Sequence, residues 1–199
     1  MTKIKLCGLQ SEDHIRWANE AGCDYVGFVF AKSRRQVSFS QAARIRKHLE
    51  SSIIPVGVFV DSPIEEILSL VENNIISMIQ LHGSEDEVYI KSLRSYCDVP
   101  IVKAVRVIDE MSAFLAQKSS ADYLLFDAKT AGSGISFDWS LTRKCSRPFF
   151  LAGGLNLTNL SDAILQVHPY AVDLSSGLEI EGEKNCRIMR EATRLSHSL

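Results

Sequence analysis

The sequence predicts an α/β protein, a single small (β/α)₈ barrel spanning residues 1–199. Apolar runs of strand length recur eight times along the chain, charge at helical spacing fills the stretches between them, and no Pro/Gly/Ser-rich linker divides the whole. The expected strands are 3–7, 24–30, 54–60, 77–81, 100–106, 121–127, 148–152 and 170–175. Their Val, Ile, Leu and Phe are nearly continuous, as in a parallel sheet covered by helices. The expected helices lie near 11–21, 40–50, 63–73, 85–96, 109–118, 139–146, 157–167 and 184–196. Eight such units close a barrel. The competing architecture, an open doubly wound sheet, usually has fewer strands and a Gly-rich turn after the first; here the clearest Gly-rich turns come after the last three.

In unit one, alternation puts Lys3, Lys5 and Cys7 on the inner face and Ile4 and Leu6 on the outer one. Cys7 then ends its strand before Gly8, at the rim where active sites of this fold lie. Ser11 is placed to cap the first helix, Ser40 the second, and Asp61 or Ser62 the third. After strand two, Lys32-Ser33-Arg34-Arg35-Gln36-Val37 offers a guanidinium able to clamp a carboxylate through paired hydrogen bonds. Strand four ends in Gln80-Leu81-His82-Gly83, so His82 is a candidate ligand contact or an ordinary structural histidine. Alternation in strand five turns Lys103 inward, and Asp127 ends strand six. Charges inside a barrel are costly unless paired, so Lys5, Lys103, Asp127 and Asp173 are expected to form one polar cluster beneath the site. Ala131-Gly132-Ser133-Gly134, Gly153-Gly154-Leu155-Asn156 and Ser175-Ser176-Gly177 follow strands six, seven and eight. Glycines let backbone N–H groups close on an anion, and the loops after strands seven and eight form a recurring phosphate grip in this fold.

Composition narrows the function. The chain is 46% hydrophobic with a formal charge of −2, which gives no support to nucleic-acid or acidic-membrane binding. Its five cysteines, at 7, 23, 97, 145 and 186, are odd in number and scattered without CxxC or Cys/His spacing. That pattern reads as reduced thiols rather than zinc ligands or a disulfide framework. No signal-peptide core follows Met1, and no run reaches membrane-span length, so a soluble cytoplasmic protein is expected.

These features together resemble the phosphoribosylanthranilate isomerase family of tryptophan biosynthesis. The resemblance runs from about residue 3 to 190 through KLCGL (5–9), DYVGFVF (24–30), KSRRQVS (32–38), VGVFV (56–60), QLHG (80–83), LLFDAK (124–129), GSGISFDW (132–139), AGGLN (152–156) and AVDLSSGLE (171–179). It implies a small barrel of the ribulose-phosphate-binding type and an Amadori rearrangement of an aminoaldose to a ketose, with no metal or redox cofactor. It also implies a phosphorylated small-molecule substrate and a monomer or homodimer. By this resemblance Cys7 matches the general base, Asp127 the general acid and Arg35 the arginine facing the anthranilate carboxylate. Gly132, Ser133, Gly134, Gly153, Gly154, Ser175, Ser176 and Gly177 match the phosphate site. Burial is expected to raise the Asp127 pKa, and nearby positive charge to lower that of Cys7. Ala131 departs from the family's usual Gly-Gly, and Asn185 replaces an aspartate while keeping cap chemistry. The alternatives are a related sugar-phosphate isomerase of histidine biosynthesis, a dual-substrate enzyme, or a non-catalytic phosphate-binding barrel. Cys7 speaks against the first, because that family tends to use aspartates in both catalytic roles.

Overall fold

Eight parallel strands close on themselves in sequence order: β1 (Lys3–Cys7), β2 (Tyr25–Val29), β3 (Ile54–Phe59), β4 (Met78–Leu81), β5 (Ile101–Arg106), β6 (Tyr123–Asp127), β7 (Phe149–Leu151) and β8 (Ala171–Leu174). The computed structural model describes residues 1–127 and 138–199. Helices α1 (Glu12–Ala21), α2 (Phe39–Arg46), α3 (Ile64–Glu72), α4 (Glu87–Arg94), α5 (Glu110–Ala116), α6 (Leu160–Val167) and α7 (Cys186–Ser198) wrap the outside. Between β6 and β7 the expected helix is replaced by a 3₁₀ turn, Trp139–Thr142, capped by Asp138. Pro148, just before β7, disfavours helical backbone at the residue preceding it and so shortens the room for a helix there.

The strands are buried on both faces, and each face has its own core. Inside the barrel Tyr25, Val56, Met78, Val102, Leu125, Phe150 and Ala171 fill the lumen. Outside, Ile4, Leu6, Ile79, Leu81, Phe126 and Val172 pack against the helices. This confirms the inner parity of Lys5, Cys7 and Asp127, and it corrects that of Lys103. Val102 and not Lys103 faces the lumen, because β5 pairs Val102 with the inward residues Gln80 and Tyr123. A one-residue change of phase turns every side chain of a strand over.

Caps explain several helix starts. Ser11 accepts from the His14 amide at the head of α1, and Gly22 ends that helix in left-handed backbone. Ser38 rather than Ser40 caps α2. The start of α3 has no side-chain cap; Asp61 instead accepts from the backbone and hydroxyl of Ser84. Asn185 caps α7 by accepting from the Arg187 and Ile188 amides. After β8 comes a feature absent from the sequence reading, an antiparallel hairpin of β9 (Glu179–Ile180) and β10 (Glu183–Lys184). Its turn, Glu181-Gly182, has φ of 51° and 90°, the left-handed pair a tight two-residue hairpin needs. No helix among the described residues is long and apolar enough to cross a membrane.

Candidate active site

The C-terminal ends of the strands surround a cavity of about 390 Å³. Cys7 from β1, Asp127 from β6, Asp173 from β8, and Gln80 and His82 from the end of β4 all line it. The thiol and the carboxyl that the sequence singled out therefore share one space at one mouth of the barrel.

Cys7 owes its place to a neighbour without a side chain. Gly27 pairs with it in register on β2, and a Cβ there would lie 2.6 Å from the Cys7 sulfur. Lys5 is fully buried, and its Nζ donates to Asp173 Oδ2 at 2.7 Å. The two residues are register partners on β1 and β8, so the pair is built into the sheet. Burial pushes the Cys7 thiol above its ordinary pKa; Lys5 and Lys184 pull it down without cancelling that rise, and Asp173 adds to it. The expected net lowering by positive charge is therefore not met. Burial acts on Lys5 in the opposite sense, yet Asp173 and Cys7 more than offset it and hold the ammonium above its ordinary value.

Asp127 approaches His82, whose Nε2 lies 3.1 Å from Asp127 Oδ2. On the far side of the ring, Gln80 Nε2–H donates to His82 Nδ1 at 2.9 Å. The expected four-member cluster is thus divided. Lys5 and Asp173 form one pair in the lumen. Lys103 belongs to another group on the outer side, where it donates to Glu85 and to the Gly83 carbonyl, both at 2.8 Å.

Arg35 lines the same cavity from the loop after β2. Its aliphatic stem lies over Gly8, where a Cβ would be 2.5 Å from Arg35 Cδ, and the φ of 79° at Gly8 is one that glycine adopts freely. One edge of the guanidinium is fixed by Glu179: Nε and Nη2 donate to its two oxygens at 2.7 and 3.0 Å. Arg34 and Lys184 also bind Glu179, the latter at 2.8 Å. Burial alone would raise the Glu179 pKa, but hydrogen bonds from Arg35 and Lys184, with their charge, bring it to about 2. Among the described residues the Nη1 end of Arg35 makes no hydrogen bond.

Gly153, Gly154, Ser175 and Ser176 line the same cavity from the loops after β7 and β8. Asn159 locks the first of these loops by accepting from the Asn156 amide and donating to the Gly154 carbonyl. Gly177 lies behind the wall, where a Cβ would be 1.9 Å from the Leu155 carbonyl oxygen; its part is to let two loops meet. Ala131, Gly132, Ser133 and Gly134 lie outside the described residues. Among the described residues, no group of three or more His, Cys, Asp or Glu side chains is arranged to hold a metal ion.

The family model for N-(5′-phosphoribosyl)anthranilate isomerase matches residues 4–194. The chain belongs to the phosphoribosylanthranilate isomerase family. A family member from Endomicrobium trichonymphae is 44% identical over the full length of both chains. The crystal structure of phosphoribosylanthranilate isomerase from Thermotoga maritima superposes with a TM-score of 0.89 at 34% identity, covering all of both chains. Another family structure, solved with reduced 1-(o-carboxyphenylamino)-1-deoxyribulose 5-phosphate bound, gives 0.87 at 33% identity, again over the whole of both chains. Relative to the family motifs, the residues the sequence reading missed are Gln80, Glu179 and Lys184. Glu179 closes the motif AVDLSSGLE, and the Glu181-Gly182 turn was the available sign that Lys184 folds back onto it.

Proposed function

We propose that this chain converts N-(5′-phosphoribosyl)anthranilate to 1-(2-carboxyphenylamino)-1-deoxyribulose 5-phosphate, an Amadori rearrangement of tryptophan biosynthesis. The observation that carries the reading is Cys7 and Asp127 lining one cavity together with Arg35 and the loops after β7 and β8. Asp127, protonated, delivers a proton to the furanose ring oxygen, and the C1′–O bond breaks to leave a Schiff base. Cys7, as thiolate, removes the proton from C2′ and gives an enolamine. Tautomerisation places a hydrogen on C1′ and releases the C2′ hydroxyl proton, so the acid and the base end as they began. Arg35 faces the anthranilate carboxylate with its free Nη1 end, and Gly153, Gly154, Ser175 and Ser176 receive the phosphate.

The reacting pair needs a protonated carboxyl beside an ionised thiol, the reverse of their order in free solution. Burial of Cys7 widens that inversion. The competent ionisation state is then a minority population. Phosphoribosylanthranilate generated in situ fluoresces through its anthranilate ring. Adding the protein should make that emission decay. Binding without decay would point to a non-catalytic barrel and reject the assignment.

A further inference from the structure

The cavity wall contains a buried amide. Gln80 is 2% exposed and lines the site beside His82. Its Nε2–H donates to His82 Nδ1, and its Oε1 is buried without a hydrogen-bond partner. The nitrogen faces the ring, and its contact is the one hydrogen bond this side chain makes among the described residues. An amide nitrogen only donates, and Nδ1 must therefore accept. A neutral imidazole has one proton left, which sits on Nε2 and points at Asp127 Oδ2.

We infer that Gln80 is a positioning residue that keeps His82 neutral, with its proton on Nε2, and through it sets the acidity of Asp127. This rests on the role proposed above for Asp127. An imidazolium at His82 would hold Asp127 as a carboxylate and spoil it as an acid. A neutral N–H stabilises the carboxylate left after proton transfer through one hydrogen bond and still permits the protonated form. Charging the ring would need a proton on Nδ1, where the Gln80 N–H already points. Several charged groups surround the ring. Lys103 and Glu85 neutralise each other beneath Gly83. Asp61 at the end of β3 is taken up by Ser84, and Arg106 at the end of β5 lines an adjoining cavity with His82 and Asp127. Lys32 and Arg35, from the loop after β2, line the main cavity with it, and the Arg35 guanidinium is held by Glu179.

Long-range ¹H–¹⁵N NMR of labelled protein, with His82 assigned by difference from His82→Gln, reads the tautomer without reference to activity. At about pH 7 the wild-type ring should be neutral with its proton on Nε2. In Gln80→Glu the new carboxylate accepts from Nδ1–H, and the ring should become doubly protonated. With the acid's pKa below the thiol's, each unit lost by Asp127 lowers the kcat/KM plateau about tenfold and moves the acidic limb about one unit down. Gln80→Glu should show both changes together, and Gln80→Met smaller ones. A purely structural role would lower Tm and the plateau while leaving the limb in place, which would overturn the inference. So would a wild-type ring protonated on Nδ1, or on both nitrogens, and this reading stands even if neither variant folds. If the tautomer is as stated and Asp127→Asn nevertheless turns over normally, the acid assignment fails, and the control of acidity fails with it, while the tautomer assignment survives.

Discussion

At the N-terminal mouth of the barrel, Lys3 lies 5.3 Å from the Tyr170 ring and 5.7 Å from that of Tyr25. The Tyr25 and Tyr170 hydroxyls are 3.1 Å apart, and Phe150 packs edge-on to Tyr25 and Tyr123. At the C-terminal mouth, Lys5 is buried against Asp173, and Cys7, His82 and Asp127 crowd an open cavity. The first arrangement closes on itself through neutral hydroxyls and ring faces. The second leaves polar valence unused: among the described residues, two of the four buried side-chain atoms without a hydrogen bond are Gln80 Oε1 and Asp173 Oδ1, and both residues line the cavity. One mouth is built as a plug and the other as a site, using the same alternation of inward residues.

The largest effects should come from the open mouth. Cys7→Ala and Asp127→Asn should each lower kcat by about 10³-fold or more, read from the decay of anthranilate emission, while product binding persists in a titration. Turnover close to wild type by either variant would remove that residue from its role. The same profile has a direction in pH: with the acid's pKa below the thiol's, the thiol sets the alkaline limb of kcat/KM, and because burial holds the Cys7 thiol up, the fall should begin only above the ordinary thiol range.

Next comes the ion pair of the open mouth. Lys5→Met strands the Asp173 charge and should cost about 3–5 kcal/mol in a denaturant titration. Adding Asp173→Leu should restore most of that stability, since an apolar pair of similar volume often replaces a buried ion pair without loss. The double variant should stay slow, because Cys7 has lost the nearest charge that favours its thiolate. Recovery of both stability and rate would mean that the pair serves only packing.

Arg35→Ala should raise KM about 10- to 100-fold with a smaller change in kcat, the cost of a charged hydrogen-bonded contact to the ring carboxylate. An unchanged KM would place the carboxylate elsewhere. The smallest change belongs to the plug, where Tyr170→Phe should cost about 1 kcal/mol and leave turnover alone. A loss of rate there would break the division between the two mouths. Acid titration sharpens it further. Glu179, depressed from 4.5 to about 2, stabilises the fold fully above its unfolded value, and that contribution fades as pH falls through about 2. Glu179→Gln should flatten this part of the acid unfolding curve.

How much of this was legible in the sequence depended on which signal each residue gives. Cys7, Asp127 and Lys5 follow from alternation, because their strands each carry an unambiguous inward set. Lys103 does not. In Ile101-Val102-Lys103-Ala104-Val105 both parities are apolar, so the pattern fits either phase, and only pairing with β4 and β6 decides it. Glu85, its partner, sits in a loop where no periodicity applies. Gln80 looked like an ordinary strand residue because its importance lies in an orphaned oxygen. Gly27 is a space-maker for Cys7 only once register sets the two side by side. The helix expected over 139–146 is instead a 3₁₀ turn over Trp139–Thr142, a distinction that charge spacing over so few residues does not encode.

The partners of Lys5 and Arg35 have a further consequence for how the chain is made. Asp173 lies 168 residues beyond Lys5, and Glu179 lies 144 beyond Arg35. Both carboxylates are made only after the first seven strands. Until then the growing polypeptide holds a lysine destined for a dry interior with no counter-ion, and β1 has no eighth neighbour to shield it. Closure of the ring therefore waits until β8 has been made, and catalytic competence arrives with that strand rather than accumulating unit by unit.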